Sequence, residues 1–276
     1  RRTWPRHVDR VAETFGDLIA AWVPVLDPFT LARDGYLRGI RAPGRRDEEA
    51  FLDTFRALHR ASFEAWRLLS SGEPPVACCI EACPVEPGTM SREPDEREAA
   101  IDRVRVADRL RVGPWFRALN DGVLSIPGLG DVEIDGLAGA YDLVGLTYRG
   151  ARTLYADGSE AAYPLDAPVA ADGRAPWTEG LGVVLRRFDD ELPGRRFAVL
   201  GTGLVAAEDD WRTEVVAGSA LEVRRAAADG VRIEHAFWEG AIDGWTPECG
   251  LAVPDGLIDR DRHPRPSLAA LPGAQL

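Results

Sequence analysis

The chain has 276 residues, 45% of them hydrophobic and 28% charged, a balance that excludes wholesale disorder. Asp and Glu outnumber basic residues 45 to 33, giving a net charge of −12, so a basic surface for gripping nucleic-acid phosphates is excluded. No apolar run reaches about 18 residues, so nothing reads as a bilayer-spanning helix. All the basic residues are arginine, and Asn120 and Gln275 are the only side-chain amides, a bias of the whole chain rather than of one site. The chain opens at Arg1 and its one methionine is Met90, which reads as a fragment or a processed chain.

Helical and strand patterns alternate along the sequence. Val8 to Trp22 sets Val8, Val11, Ala12, Phe15, Leu18, Ile19 and Trp22 on one helical stripe. Val23 to Leu26 predicts a short buried strand ended by Asp27-Pro28. Asp47 to Leu69 predicts a long amphipathic helix with Phe51, Phe55, Leu58, Ser62, Ala65 and Leu69 on one side. Val76 to Ile80 is the next strand, Pro84 to Arg92 a loop, and Asp95 to Leu119 a helix broken at Gly113-Pro114. Asp142 to Leu146 predicts a third strand. Tyr155 to Trp177, rich in Gly, Pro and Ala, reads as a surface loop. A helix over Gly180 to Leu192 is followed by a strand at Phe197 to Leu200. A further helix, Asp209 to Asp229, is stopped by Gly230, and Val231 to Trp238 is the last strand. This order implies parallel strands joined by helical crossovers in a single domain spanning 1–276, as either an open sheet or a barrel.

In such folds the chemistry collects at the C-terminal ends of the strands. Those ends carry Asp27, Glu81, Thr147 with Tyr148, Gly201 with Thr202, and Trp238 with Glu239, and Asp243 and Trp245 lie just beyond. Carboxylates, a tyrosine and two tryptophans suit a sugar pocket, where aromatic faces stack on rings and carboxylates grip hydroxyls. Strand-end polar residues also serve as helix caps, and that reading stays open. Gly201-Thr202-Gly203 lacks the last glycine of a dinucleotide loop, because Ala206 stands there, and without lysine there is no Walker site. No Ser sits in a Gly-x-Ser-x-Gly elbow. Cys78, Cys79 and Cys83 lack zinc spacing and, like Cys249, read as small reduced thiols that suit a cytoplasmic protein. His7, His59, His235 and His263 are scattered, with His59 a core or capped residue of its helix. No cofactor or metal is expected.

Several motifs, in order, carry a resemblance. Trp22-Val23-Pro24-Val25-Leu26-Asp27-Pro28 is followed by Gly35-Tyr36-Leu37-Arg38-Gly39 and Ala42-Pro43-Gly44, and His59 lies on the next helix. Ile80 to Pro87 and Asp142 to Tyr148 come next. After them stand Leu200-Gly201-Thr202-Gly203-Leu204 with Asp209-Asp210 and Arg212, and then Asp229 to Trp238. Together, from before Trp4 to about Ser267, they resemble the family 1 glycoside hydrolases, the β-glucosidase family. The resemblance implies a (β/α)8 barrel, an α/β fold, of which this chain carries strands four to eight. The two edges so left open imply a missing N-terminal segment or a partner chain that completes the barrel.

The resemblance also implies a retaining mechanism needing two carboxylates about 5 Å apart. The acid/base position is held by Asp27, one methylene shorter than the family's Glu. The nucleophile position is held by Gly201, which has no side chain, so no covalent glycosyl-enzyme can form there. Tyr148, the nucleophile's supporter in the family, has lost its partner. Glu81, Thr147, Trp238, Glu239, Asp243 and Trp245 stand at or near sugar-contact positions. The implied function is a homologue acting on β-linked glycosides with impaired hydrolysis. Two alternatives stay open. One is an active enzyme with a rebuilt pair, Asp27 with Glu81, Glu239 or Asp243. The other is a non-catalytic binding or scaffold barrel. The implied ligand is a small glycoside or oligosaccharide, with neither nucleic acid nor membrane as partner.

Overall fold

The structure is a computed structural model that describes residues 3–90 and 94–272. In chain order its elements are α1 (Thr3–Phe15), α2 (Pro28–Ala32), a π-helical turn (Arg33–Leu37), α3 (Glu48–Leu69), β1 (Ala77–Glu81), β2 (Val85–Pro87), α4 (Pro94–Arg111), α5 (Gly113–Asp121), β3 (Val123–Ile126), β4 (Gly130–Glu133), β5 (Leu143–Thr147), β6 (Ala151–Leu154), β7 (Glu160–Tyr163), α6 (Thr178–Glu191), β8 (Phe197–Thr202), α7 (Asp209–Ala228), β9 (Ile233–Trp238) and a 3-10 turn (Pro266–Ala270). Two compact units share the chain. One comprises Arg1–Glu81, Arg109–Thr147 and Leu192–Ala198, the other Ala82–Asp108, Tyr148–Glu191 and Val199–Leu276.

In the first unit β1 and β5 pair in parallel from Ala77 opposite Leu143 to Glu81 opposite Thr147. Every residue of β5 is buried, as expected of a parallel strand covered on both faces. The start of β8 joins them, its Arg196 carbonyl accepting from the Val144 N–H at 2.8 Å. The Arg195 side chain donates to the carbonyls of Leu119 and Ala140 at 3.0 Å each, tying the end of α5 and the approach to β5 to the approach to β8. Helix α3 begins where Asp47 accepts from the Ala50 N–H at 3.0 Å, a side-chain N-cap. Its apolar residues recur at helical spacing, so Phe51, Phe55, Ala65 and Leu69 fall on one buried stripe. Phe29 of α2 meets Phe51 and Phe55 edge-on, with ring centroids 5.9 and 5.4 Å apart. His59 is buried on the same stripe, 4.2 Å from the Trp115 ring. Its Nδ1 stands 3.0 Å from the Phe55 carbonyl, which can only accept, so the proton rests on Nδ1. Nε2 is buried without a hydrogen-bond partner among the described residues, and burial lowers the imidazole's pKa from 6.5 to about 4.

In the second unit β6 pairs with β2 in parallel and with β7 antiparallel, forming a small three-stranded sheet. Helices α6 and α7 approach closely at Gly182, where an added Cβ would lie 2.3 Å from the Glu222 carboxylate. Arg212, 0% exposed, donates to Asp209 at 2.7 Å and to the Pro254 carbonyl at 3.1 Å. Asp209 in turn accepts from the Ser267 hydroxyl at 2.7 Å. The Asp209-Asp210-x-Arg212 motif is thus a brace that ties the start of α7 to two distant loops. The end of β8 lies beside β9, where the Glu239 N–H donates to the Thr202 carbonyl at 2.7 Å. Among the described residues β8 is the strand neighbour of β9, and Glu234, His235, Ala236 and Phe237 are all exposed.

The long helices and the strands β1, β5, β8 and β9 stand where the periodicity puts them. Other elements differ. Helix α1 ends at Phe15 rather than Trp22, and Leu18 is 76% exposed. The strand expected at Val23 to Leu26 reduces to an isolated parallel bridge between Trp22 and Val76, because Pro24 offers no N–H and the chain bends there. The two loops contain short strands, β2 in 84–92 and β7 in 155–177, and residues 91 and 92 lie outside the described residues. Among the described residues no helix is long and apolar enough to cross a membrane.

Candidate functional site

In the first unit the expected acid/base residue, Asp27, sits at the start of α2 with φ 45°, a left-handed conformation sparsely populated outside glycine. Its N–H donates to Cys79 Sγ at 3.3 Å, and Thr147 Oγ1 hydrogen-bonds to its Oδ1. Asp27 is 7% exposed and Thr147 2% exposed. Burial, followed by the nearby Asp27 charge, pushes the Cys79 thiol well up, so sulfur remains a neutral thiol beside the carboxylate. The structure therefore brings Asp27 and Thr147 together and fastens them to β1. Glu81, at the end of β1, accepts from Thr30 Oγ1, and its other oxygen is 4.0 Å from Arg33. Both carboxylates serve as tethers for α2 and the turn after it.

In the second unit the strand-end residues form a different arrangement. Tyr148 is buried, and its hydroxyl donates to the Trp177 carbonyl just before α6. Burial first, then the charges near Cys83 and Glu179, pushes the phenol further above its usual range, so it is a neutral donor. Gly201 at the end of β8 is covered by Glu239. A Cβ added to Gly201 would lie 3.3 Å from Glu239 Oε2 and 3.5 Å from its Cδ. A carboxylate thus occupies the space that a side chain from position 201 would enter, supplied by the residue after β9. Both Glu239 oxygens are taken by Arg149, with Nε to Oε2 and Nη2 to Oε1 each 2.6 Å. This fork-to-fork geometry is the strong form of the ion pair.

Asp243 points elsewhere. Its carboxylate is held by Arg265 at 2.8 and 2.6 Å and accepts from the Gly256 N–H at 2.9 Å. Desolvation opposes its ionisation, but Arg265 and the Gly256 N–H outweigh it and hold the carboxyl below the usual range. Asp243 closes the loop that follows β9 onto Gly256. Trp238 is half-buried against Ala170, Leu204, Ala206 and Val215, and its buried Nε1 has no hydrogen-bond partner among the described residues. Trp245 is 67% exposed. Of the expected sugar-contact residues, the structure joins Thr147 to Asp27, sets Glu239 against Gly201, and gives Asp243 and Trp238 packing or bracing contacts.

Sequence reasoning missed Arg149 and Arg265. Arg149 follows Tyr148 directly at a strand end, a position where a charge could have been noticed. Arg265 is 22 residues from Asp243 and leaves no local signal. A group of Asp259, Asp261 and His263 holds its ligand atoms within 4.8 Å of one another on an exposed turn, where Asp259 and His263 already pair at 3.2 Å.

A scan of protein-family models gave no match, and neither did a search of curated proteins. Solved structures do match. A β-glucosidase from Thermotoga maritima in complex with glucoimidazole superposes with a TM-score of 0.81 at 19% identity, covering 96% of this chain and 65% of that one. The Thermotoga maritima family 1 glycoside hydrolase complexed with a cyclophellitol analogue transition state mimic gives the same values. A β-glycosidase from Pyrococcus horikoshii gives 0.82 at 19% identity, covering 96% of this chain and 63% of that one. The fold is therefore that of these α/β barrels, and the chain spans slightly less than two thirds of their length.

Proposed function

We propose that this chain belongs to a family 1 glycosidase-type barrel, built around β-linked glycosides, that no longer performs retaining hydrolysis. The observation that carries this reading is Glu239 laid over Gly201 and clamped by Arg149. A glycosidase nucleophile must turn a free oxygen lone pair toward the anomeric carbon and take up positive charge from it. A carboxylate whose two oxygens are both committed to one guanidinium has that charge already neutralised. The other candidate carboxylates support the same reading. Asp27 is bonded to Thr147, Glu81 to Thr30, and Asp243 to Arg265, so each has a bracing role.

The test is release of nitrophenol from an aryl β-glucoside by the full-length protein, with and without azide, an external nucleophile. The expected result is no turnover in either case, because Glu239 fills the space that azide would need. Glu239→Ala with azide is expected to be the most permissive combination, limited by the short acid at Asp27. Turnover by the unmodified protein that disappears in Glu239→Gln would overturn the reading and assign Glu239 as a relocated nucleophile.

A further inference from the structure

In the first unit, the segment between the π-helical turn and α3 carries charges of both signs in two adjacent blocks. Arg45-Arg46 stands directly before Asp47-Glu48-Glu49, and all five residues are exposed. The chain folds back on itself here. The Arg45 N–H donates to the Gly35 carbonyl at 2.9 Å, and the Asp47 N–H donates to the Tyr36 carbonyl at 2.7 Å. A Cβ added to Gly39 would lie 2.9 Å from the Arg45 carbonyl oxygen and 3.1 Å from Arg46 Cγ, so the chain around Gly39 lies against the two arginines. Its neighbour Ile40 is 58% exposed, an apolar side chain set beside the charges. The Arg45 guanidinium lies over the Tyr36 ring, 6.0 Å from its centroid, which limits how freely that charge moves. Asp47 is committed to capping α3 through the Ala50 N–H. Arg45, Arg46, Glu48 and Glu49 remain, and among the described residues none of the four takes part in an ion pair.

The order of the charges decides the partner. A purely acidic partner would meet Glu48 and Glu49 next to the arginines, and a purely basic one would meet Arg45 and Arg46 next to the glutamates. Like charges brought together that way oppose docking. The surface that fits has the same two blocks in reverse order, and a twofold axis supplies it from the same sequence. Under such an axis each patch faces its own copy turned end for end, so residue i of one protomer meets residue j of the other and j meets i. We propose that this loop is a contact surface between two copies of the chain, Arg45 and Arg46 of each facing Glu48 and Glu49 of the other, with Ile40 as the apolar contact. Exposed pairs of this kind are individually weak and are screened by salt, so the dimer is a weak one that high ionic strength takes apart. None of these residues lies at a strand end of the sheet, and the contact is independent of whether the protein turns over a glycoside.

The experiment is sedimentation velocity of the 276-residue protein across a concentration series at low and high salt. A monomer–dimer equilibrium with a Kd of about tens of micromolar is expected at low salt. It should weaken about tenfold or more in about 0.5 M salt, where screening acts over only a few Å. Two charge reversals follow, one with Arg45→Glu and Arg46→Glu, the other with Glu48→Arg and Glu49→Arg. Each makes the patch single-signed, and each alone is expected to weaken self-association about tenfold or more. An equimolar mixture of the two should associate about as well as the wild type, because every pair is then opposite in sign again. That recovery also shows that both variants fold. The neutral variant with Arg45→Gln and Arg46→Gln leaves the start of α3 untouched and should weaken association about tenfold. A wild type that stays monomeric at about 100 μM in low salt would overturn the proposal. So would association that neither reversal weakens, the mark of a contact elsewhere such as β9, or folded reversal variants that stay apart when mixed.

Discussion

Acidification should unfasten the first unit through His59, and the size of the effect follows from its environment. In an unfolded chain this imidazole takes up a proton near pH 6.5, whereas in the folded protein it resists until about pH 4. The folded pKa is the lower one, so the unfolded state binds more protons throughout that window. Stability is full above about pH 6.5 and falls as the pH drops toward 4. The total loss is about 3 kcal/mol, since each tenfold difference in proton affinity between the two states is worth about 1.4 kcal/mol. Between about pH 7.5 and pH 5, linkage for these two values gives a loss of about 2 kcal/mol from this one ring. Carboxylates titrate in the same direction lower down, so the control is His59→Leu, which keeps an apolar side chain of similar volume on the α3 stripe. Urea unfolding of both proteins at the two pH values isolates the ring. The wild type should lose about 2 kcal/mol more than the variant on acidification, whatever the variant's stability at neutral pH. Equal losses in the two proteins would refute the reasoning and show that the folded state accepts a proton at Nε2 with a partner nearby.

Gly201→Ala is expected to change stability by less than about 1 kcal/mol, because its Cβ would stand 3.3 to 3.6 Å from the half-exposed Glu239 side chain, tight at one oxygen and in ordinary contact elsewhere. Gly201→Glu should lower the melting temperature more, and combination with Glu239→Ser should restore it, since the two carboxylates compete for one space. Asp243→Asn should destabilise the second unit by about 2 kcal/mol, leaving Arg265 with a weaker partner, and should open the loop before Gly256 to limited proteolysis. Asp243 ionises more readily folded than unfolded, so its contribution is present at neutral pH and lost as the pH falls through the acid range. Arg212→Met should cost about 3 kcal/mol or more in thermal or urea unfolding, because Asp209 and the carbonyls of Ala206 and Pro254 lose the same buried donor together.

Legibility from sequence divided along a physical line. Helix α3 was readable because Phe51, Phe55 and Ala65 recur at helical spacing and Asp47 offers a cap. Strands β1, β5 and β8 were readable because parallel strands buried on both faces are written as unbroken apolar runs. Strands β2, β6 and β7 were missed because each is three or four residues long, contains Pro, Arg or Glu, and exists through pairing with distant chain. The Val23 to Leu26 run failed in the other direction, with strand-like residues but a proline where a donor was needed. At the site, strand-end positions could be named in advance, and Gly201 was visibly lacking a side chain. What filled the gap could not be read, since Glu239 reaches Gly201 across a strand boundary and Arg149 meets it 90 positions away in sequence.

That β9 has a strand neighbour on one side only, among the described residues, bears on how the protein behaves in a concentrated solution or a crowded cell. Among the described residues no strand pairs with its other side, so an extended chain could match it there, and Phe237 and Ala236 add exposed apolar surface. Such an edge templates fibril-like stacking unless something discourages the approach of a second copy. Arg232 and Glu234 flank the segment, and charges so placed act as gatekeepers: identical strands laid side by side would stack like charges on one another. Neutralising them, as in Glu234→Val, should turn a chain protected by its own repulsion into one whose turbidity rises with concentration.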